Sequence, residues 1–513
     1  MADRWSAFLF EIMKYLVKAK EMKQFDRNTI EHFGILSEVL IERAALAAFE
    51  ELQKKLQPAQ TRILIVCGNG NNGADGLALA RLLHLAGAEV TTLLLGDRTK
   101  ATPENKKELQ INEAYGILSV TDPDQLQTEN WDVVVDALFG VGLSRKIEGE
   151  FARCIERINA IDAWKLALDI PSGVNSDQGT IMGIAFLADL TVTFSYEKLG
   201  MRLYPGQDCC GEIICREVGI NDPSFLDYKP TTLALEMTDR KLIPKRENRG
   251  NKGTFGKILI IAGSACLAGA AVFSAKAAYK SGAGMVKILT VEENRQILQT
   301  LVPEAILSVY SPKKIDFSLL TTDMQWADVI VCGPGLGKSQ EADKLVRFVL
   351  KNAAVPVVFD ADALNLLAKD VDLLLAPHTE LVLTPHLGEM ARLTGNTIGY
   401  IQDALIGCAE EFARAYNVIV ALKDARTVTA IPYNSTYVNL SGNNGMATAG
   451  SGDALTGVIA ALIAQGLQPG IAAPLGVFLH GLAGDLVAEE KGVQGLMVSD
   501  LIEKLPFVFK GAW

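Results

Sequence analysis

Short apolar runs alternate with helical patterns along almost the whole chain, and this alternation limits the fold more than any other feature. In the first half, Arg62–Cys67 reads as a buried strand, followed by a glycine- and asparagine-rich loop, a helix over about 75–86 and a strand at 90–95. Further strand-like runs fall at 132–136, 166–169 and 190–194, and an amphipathic helix is expected earlier, over 31–56. Strands that are apolar throughout are covered on both faces, and strand–helix alternation implies a parallel sheet between helical layers. The pattern fades between Val218 and Gly253, where Asn221-Asp222-Pro223, Lys229-Pro230, Pro244 and the charged run 245–249 read as a connector. It restarts with a strand at 257–262, a helix over Ala268–Lys280, and strands at 285–290, 328–332, 356–360, 380–384 and 418–422. Helices over 453–465 and 474–489 close this half. Ala270, Ala271, Ser274, Ala275, Ala277 and Ala278 make the first helix of the half narrow enough for close packing. The expected class is α/β with two domains, 14–220 and 250–513, joined by a linker over 221–249.

Composition narrows the partners. A chain of 513 residues is too long for one typical domain, and 49% hydrophobic against 21% charged residues supports packed cores rather than disorder. A net charge of −11 argues against a nucleic-acid backbone as partner, since such proteins carry a basic footprint. No run of about 18 apolar residues is present, so no membrane span is expected. The eight cysteines are scattered without a CxxC pair, and there are five histidines. That is the usage of a reduced, cytoplasmic chain, not of a disulfide framework or structural zinc site. Residues 5–17 are apolar-rich, but Glu11 and Lys14 interrupt them and no small-residue cleavage site follows, so they are not read as a signal peptide. Met13 is an alternative start, with 1–12 as an extension.

Two glycine-rich loops carry the chemistry. Asn443-Asn444-Gly445-Met446-Ala447-Thr448-Ala449-Gly450-Ser451-Gly452-Asp453 runs straight into an apolar helical pattern. Small residues let backbone N–H groups point at an anion, and the helix start adds partial positive charge. Asp453, in the first helical turn, either takes a proton from a substrate hydroxyl beside that anion or only complements the helix dipole. In the first half, Gly68, Gly70 and Gly73 satisfy G-x-G-x-x-G between a strand and a helix, a context suited to a pyrophosphate, while Asn71 and Asn72 offer hard oxygen ligands. Asp136 and Asp169 end strands, and Ser172 follows in Pro171-Ser172-Gly173. Ligands bind beyond the carboxyl ends of parallel strands, so these groups converge on a site or simply cap turns. Asp360 and Asp362 also follow a strand and either orient magnesium and polar ligands or cap a turn. His386, just past a strand, either reaches a ligand or packs in its turn.

CGNGNNGADG, VDALFGVG and LDIPSGVNSDQG resemble the amino-terminal NAD(P)H-hydrate epimerase domain, the YjeF N-terminal family, over about 15–219. The resemblance implies a Rossmann-like three-layer α/β/α domain. It implies a potassium ion on Asn72, Asp136 and Ser172, with Asp169 as catalytic residue on the hydrated nicotinamide. It also implies dinucleotide binding by Asn71-Asn72-Gly73-Ala74-Asp75 and by Gly140-Val141-Gly142-Leu143-Ser144-Arg145-Lys146. Gly73-Ala74 stands where the family has two glycines, and the Ala74 methyl is expected against the ligand. Ile41-Glu42-Arg43-Ala44-Ala45 stands where the family has M-E-N-A-G.

NKGTFGKILIIAGS, CGPGLG, VFDADALNLL, LTPHLGEMARLTG, GNNGMATAGSGDALTG and HGLAGD resemble, in order, the ADP-dependent NAD(P)H-hydrate dehydratases of the ribokinase-like superfamily, from Gly250 to about Ala512. That implies a second three-layer α/β/α domain, with Ala270, Gly335 and His386 on the hydrated dinucleotide. Lys423-Asp424-Ala425-Arg426-Thr427 and Gly452 would hold the adenine nucleotide, and Asp453 would be the catalytic base. Lys423-Asp424 replaces the family's Lys-Gly, and Ala449 replaces a glycine of T-G-G-S-G-D. The implied enzyme epimerises R and S hydrated NAD(P)H and dehydrates the S form with ADP, giving AMP and phosphate. Magnesium accompanies the nucleotide, and family members assemble as homo-oligomers. Two other readings stay open: a ribokinase-like vitamin or sugar kinase, and a non-catalytic binding or scaffold role for the first domain.

Overall fold

The computed structural model describes residues 13–126, 131–311 and 315–510, so the segment 1–12 lies outside the described residues. The chain divides into two compact units, Tyr15–Thr232 and Leu233–Trp513. Residues 221–249, expected as a connector, are shared between them and carry a short strand, Thr232–Ala234.

In the first unit the strands are β1 (Lys14–Val17), β2 (Arg62–Cys67), β3 (Glu89–Leu94), β4 (Leu118–Val120), β5 (Val133–Ala137), β6 (Trp164–Leu168), β7 (Leu190–Phe194), β8 (Glu197–Lys198) and β9 (Glu212–Arg216). Seven form one sheet in the order β4-β3-β2-β5-β6-β7-β9, and its pairs are parallel. Alternation along β2 explains its apolar run. Ile63, Ile65 and Cys67 enter one core with helices Ser37–Lys55 and Asn71–Leu85, while Leu64 and Val66 enter the opposite core with helix Gly149–Ala160. Strand order reverses between β2 and β5, and a crevice is expected at such a switch point. The loops after these strands touch: a Cβ on Gly68 would lie 2.1 Å from the Leu138 carbonyl oxygen.

The second unit contains, after β10 (Thr232–Ala234), β11 (Lys257–Ile261), β12 (Met285–Val291), β13 (Ile306–Tyr310), β14 (Val329–Cys332), β15 (Val357–Phe359), β16 (Leu381–Leu383), β17 (Ile419–Leu422), β18 (Val428–Ala430) and β19 (Thr436–Val438). They follow the order β13-β12-β11-β14-β15-β16-β17-β18-β19, parallel as far as β17 and antiparallel beyond it. Helices Ala268–Lys280 and Ser451–Ala464 pack closely, because a Cβ on Gly457 would lie 2.1 Å from the Ser274 carbonyl oxygen. Helix Pro469–Lys491 is long and apolar enough by composition to cross a membrane, but 72% of its 18-residue apolar window is buried, as in a core helix.

Several expectations are corrected. The first glycine-loop helix begins at Asn71, not near Asp75, because the Asn105 side chain donates to the Gly68 and Gly70 carbonyls (both 3.0 Å) and closes the loop early. The helix expected over 31–56 starts only at Ser37 and runs to Lys55, because Gly34, at φ +73°, follows a separate and unanticipated helix, Ala19–Glu31. The helix expected over 474–489 starts at Pro469, and Pro474 sits inside it. The strands β4, β9, β13, β18 and β19 were not anticipated; they are short or partly exposed and lack a continuous apolar run.

Candidate active sites

In the first unit, β6 delivers Asp169 in the left-handed region at φ +65°, its N–H donating to the Val192 carbonyl at 2.8 Å. A non-glycine residue held there carries strain of the kind that collects at functional sites. Its carboxylate pairs with Lys198. The Lys198 side chain is fully buried and also donates to Thr193 Oγ1 (2.9 Å) and the Phe194 carbonyl (3.1 Å). Gly140 separates Asp169 from Asn72: a Cβ on it would lie 3.4 Å from Asn72 Cβ and 3.4 Å from Asp169 Oδ2. Neither amide atom of buried Asn72 has a hydrogen-bond partner, a costly arrangement that marks a place for a ligand.

Asp136 is buried and accepts from the Ser172 hydroxyl (2.7 Å), the Ser172 N–H (2.7 Å) and the Leu138 N–H (3.1 Å). Burial pushes its pKa up to about 6 against these donors. The Phe139 N–H donates to Ser172 Oγ at 2.9 Å, tying this pair to the turn that leads into Gly140. Asp136 and Ser172 are thus joined at the turn before Gly140, while Asn72 packs against Gly140 itself.

A cavity of about 570 Å³ opens here. Asn71, Asn72, Asp75, Asp169 and the stretch from Gly140 to Arg145 line it, together with Lys23 and Asp26 of helix Ala19–Glu31 and Ile41 and Ala44 of helix Ser37–Lys55. Gly73, Ala74 and Lys146 do not line it. The expected crowding by Ala74 is corrected: with the helix starting at Asn71, that methyl is fully buried in the core behind the loop, as is Ala45. Gly73 serves the loop itself, since a Cβ there would lie 2.1 Å from the Gly68 carbonyl oxygen. Arg43, where the family pattern changes, pairs with Glu217, and its unchanged neighbour Glu42 pairs with Arg81. Burial, then the Asp169 charge, raises the pKa of both Asp75 and Asp26 above the ordinary carboxylate value.

In the second unit, Asp360 directly follows β15, Lys423 directly follows β17, and the helix carrying Asp453 starts beside both. Lys423 Nζ lies 2.7 Å from Asp360 Oδ1. A Cβ on Gly452 would lie 3.0 Å from Lys423 Nζ and 3.6 Å from Asp360 Oδ2, so the ion pair packs against the first helical turn. Gly450 takes φ +91°, and a Cβ there would strike the Phe273 ring at 2.6 Å. Ala449 is exposed. Burial, then the Asp360 charge, pushes the Asp453 pKa up to about 7, Lys423 opposing. Burial works against the Lys423 ammonium, but Asp360 and Glu389 outweigh it and hold its pKa above the ordinary lysine value.

The remaining predicted residues surround this centre. His386 caps helix Leu387–Thr394, its Nδ1 accepting from the Gly388 N–H at 2.9 Å, and its backbone bridges to Lys423. Its ring stays half-exposed, so it both caps and faces outward. Burial, then Lys423, lowers its pKa. Gly335, at φ +58°, packs on Ala270, where an added Cβ would come within 2.8 Å. The Ala270 helix reaches Asp453 through Ser274, whose hydroxyl donates to the Asp453 carbonyl at 2.9 Å. Asp424 and Ala425 are exposed in the turn between β17 and β18. Arg426 donates to the Leu440 carbonyl (2.9 Å), and Thr427 accepts from the Asn439 N–H (2.9 Å), so both also brace the sheet edge.

A family model described as NAD(P)H-hydrate dehydratase matches residues 258–507, and one described as YjeF-related protein N-terminus matches residues 37–200. The bifunctional NAD(P)H-hydrate repair enzyme Nnr of Moorella thermoacetica is 39% identical over 514 residues, covering 97% of this chain and 97% of the relative. The chain belongs to the bifunctional NAD(P)H-hydrate repair enzymes. The Escherichia coli repair enzyme Nnr is 34% identical over 493 residues, covering 95% of this chain and 92% of that one. A ribokinase-like superfamily protein from Enterococcus faecalis superposes on the second unit's fold with a TM-score of 0.50 and 28% identity, covering 56% of this chain and 98% of that one.

In this repair enzyme some groups at the two centres carried no readable sequence signal. Lys198 stands 29 positions from Asp169 and looks like a strand-edge lysine. Asp26 is one polar residue of an amphipathic helix. Asp360, left open between capping and ligand orientation, pairs with a lysine 63 positions away. A charge directly after an apolar strand run was the available clue for Asp360, whereas Lys198, between Glu197 and Leu199, offered none.

Proposed function

We propose that Asp453 is the catalytic base of an ADP-dependent dehydration in the second unit and that Asp169 handles the proton of epimerisation in the first. The observation that supports this best is the convergence of Asp453, the Gly450–Gly452 turn and the Asp360–Lys423 pair at one helix start. Asp453 takes the proton from the ring hydroxyl of the S hydrate. That oxygen attacks the β-phosphorus of ADP, and the bond to AMP breaks. Backbone N–H groups of Ser451–Asp453 and the Lys423 ammonium receive the developing negative charge, each preorganised donor being worth about 3–4 kcal/mol. Phosphate then leaves the ring carbon, restoring NAD(P)H. His386, Ala270 and Gly335 hold the dinucleotide, and the 423–427 turn holds the nucleotide.

Magnesium would enter on the nucleotide phosphates, as in most phosphoryl transfers. In the first unit the orphaned Asn72 amide, Asp136 and Ser172 fit potassium. Bound there, it would take the Asn72 amide oxygen and place positive charge beside the cavity. Asp169, set by β7 and Lys198, then exchanges a proton with the hydrated ring, while Asp75 and Asp26, which line the same cavity, face polar groups of the dinucleotide. The free cysteines fit a reducing cytoplasmic setting. Homo-oligomerisation rests on the family alone.

The direct test supplies resolved R and S hydrates to the purified chain, with and without ADP, magnesium and potassium, and follows reduced nicotinamide by absorbance. Recovery that requires ADP and proceeds from both epimers is expected. A stably phosphorylated product would instead establish a kinase.

The base must be ionised, so the kcat/KM for dehydration is expected to fall about tenfold per pH unit below a pKa of about 7 and to level off above it. A profile that falls as pH rises through 7 would remove Asp453 from this role.

A further inference from the structure

The HGLAGD stretch, His480 to Asp485, has no part in the chemistry above, yet it touches the glycine-rich loop at both ends. It lies within helix Pro469–Lys491. At the loop's start, Asp485 Oδ2 accepts from the Gly442 N–H at 2.8 Å and Oδ1 accepts from the Asn443 amide at 2.9 Å. The Asn443 side chain is oriented from its other side, because its oxygen accepts from the Gly445 N–H at 3.1 Å. Two glycines let the loop sit directly on the helix: a Cβ on Gly481 would lie 2.2 Å from Ser441 Oγ, and one on Gly484 would lie 2.3 Å from the Met446 sulfur. Ser441 Oγ also donates to the Phe478 carbonyl at 2.8 Å. At the loop's far end, the buried His480 ring lies beside the Ser451 backbone, two residues before Asp453.

We propose that His480, Gly481, Gly484 and Asp485 form a clamp that sets the position of the phosphate-facing loop, with Asp485 as a positioning residue for ADP. This rests on the reading of that loop as the phosphate site. The physical reason is leverage. The loop's N–H groups stabilise charge only when preorganised, and a loop rich in glycine and alanine has few side chains of its own to hold it. One carboxylate that takes both a backbone and a side-chain donor fixes its entry point with two charge-assisted bonds.

The test uses the full chain and a charge swap. In Asp485→Asn, the new amide oxygen still accepts from Gly442, but its NH2 faces the Asn443 NH2. In Asn443→Asp, two carboxylates face each other. Each single variant is expected to lower kcat/KM for ADP by about 30-fold, with KM for the S hydrate within about twofold of the parent. The double variant restores an amide–carboxylate pair in reversed polarity, keeps the acceptor for Gly445, and is expected to return to within about threefold of the parent. A single variant within about threefold of the parent, a double variant no better than the singles, or an equal loss for both substrates would each overturn the proposal. Asp453→Asn separates the two levels. If it is inactive while Asp485→Asn is normal, only the clamp fails; if it is fully active, the reading of the loop fails with it.

Discussion

Asp453→Asn is expected to lower ADP-dependent dehydration about a thousandfold, close to 4 kcal/mol of transition-state stabilisation, while epimerisation by the same chain is unchanged. The amide has the carboxylate's shape, so the Gly450–Gly452 turn and the Asp360–Lys423 pair keep their places, and KM for ADP should stay within about twofold. Single-turnover rates with the S hydrate make the measurement. Loss of less than about tenfold would return Asp453 to the role of a dipole partner. The same variant has a stability signature. The Asp453 pKa is raised from 3.8 to about 7, so its protonation favours the folded state fully below 3.8, and that contribution is lost as pH rises to about 7. Asparagine never ionises, so the variant should melt higher than the parent above that window and approach it below. An active-site carboxylate that weakens the fold at working pH is the expected exchange of stability for function.

Asp169→Asn is expected to abolish enzymatic epimer exchange, a loss of about a thousandfold, while ADP-dependent dehydration of the S form by the second unit persists. With a mixed substrate, recovery of NADH would then stop once the S form is consumed. The substitution leaves the fully buried Lys198 ammonium with only neutral partners, Thr193 and Phe194, and an unpaired buried charge costs about 3–5 kcal/mol. A companion variant, Asp169→Asn with Lys198→Met, removes that charge. It should recover the melting temperature without recovering exchange. Exchange that returns in the companion variant would show that Asp169 serves the fold rather than the proton transfer. Full exchange in Asp169→Asn would remove Asp169 from the proton transfer, and a parent chain that shows no exchange above the spontaneous rate would favour a non-catalytic first unit.

Short-range features of the chain settled a good part of this protein. Continuous apolar runs such as Arg62–Cys67 and Val329–Cys332 require cover on both faces, which dictates parallel strands under helices. The placement of Asp453 in a first helical turn follows from Gly450, Ser451 and Gly452 leading into an apolar stretch, a local matter of glycine conformation and periodicity. Asp136 and Asp169 at strand ends were legible for the same reason. Tertiary structure decided the rest. The helix at Asn71 began early because Asn105, 35 positions from Gly70, took that loop's carbonyls. Ala74 turned out harmless because the earlier start rotated its methyl into the core. Lys198, Asp360 and Asp485 joined their sites only through packing: an ion pair or a bidentate acceptor is made by proximity in space, and proximity across tens of residues leaves no period, spacing or composition to read.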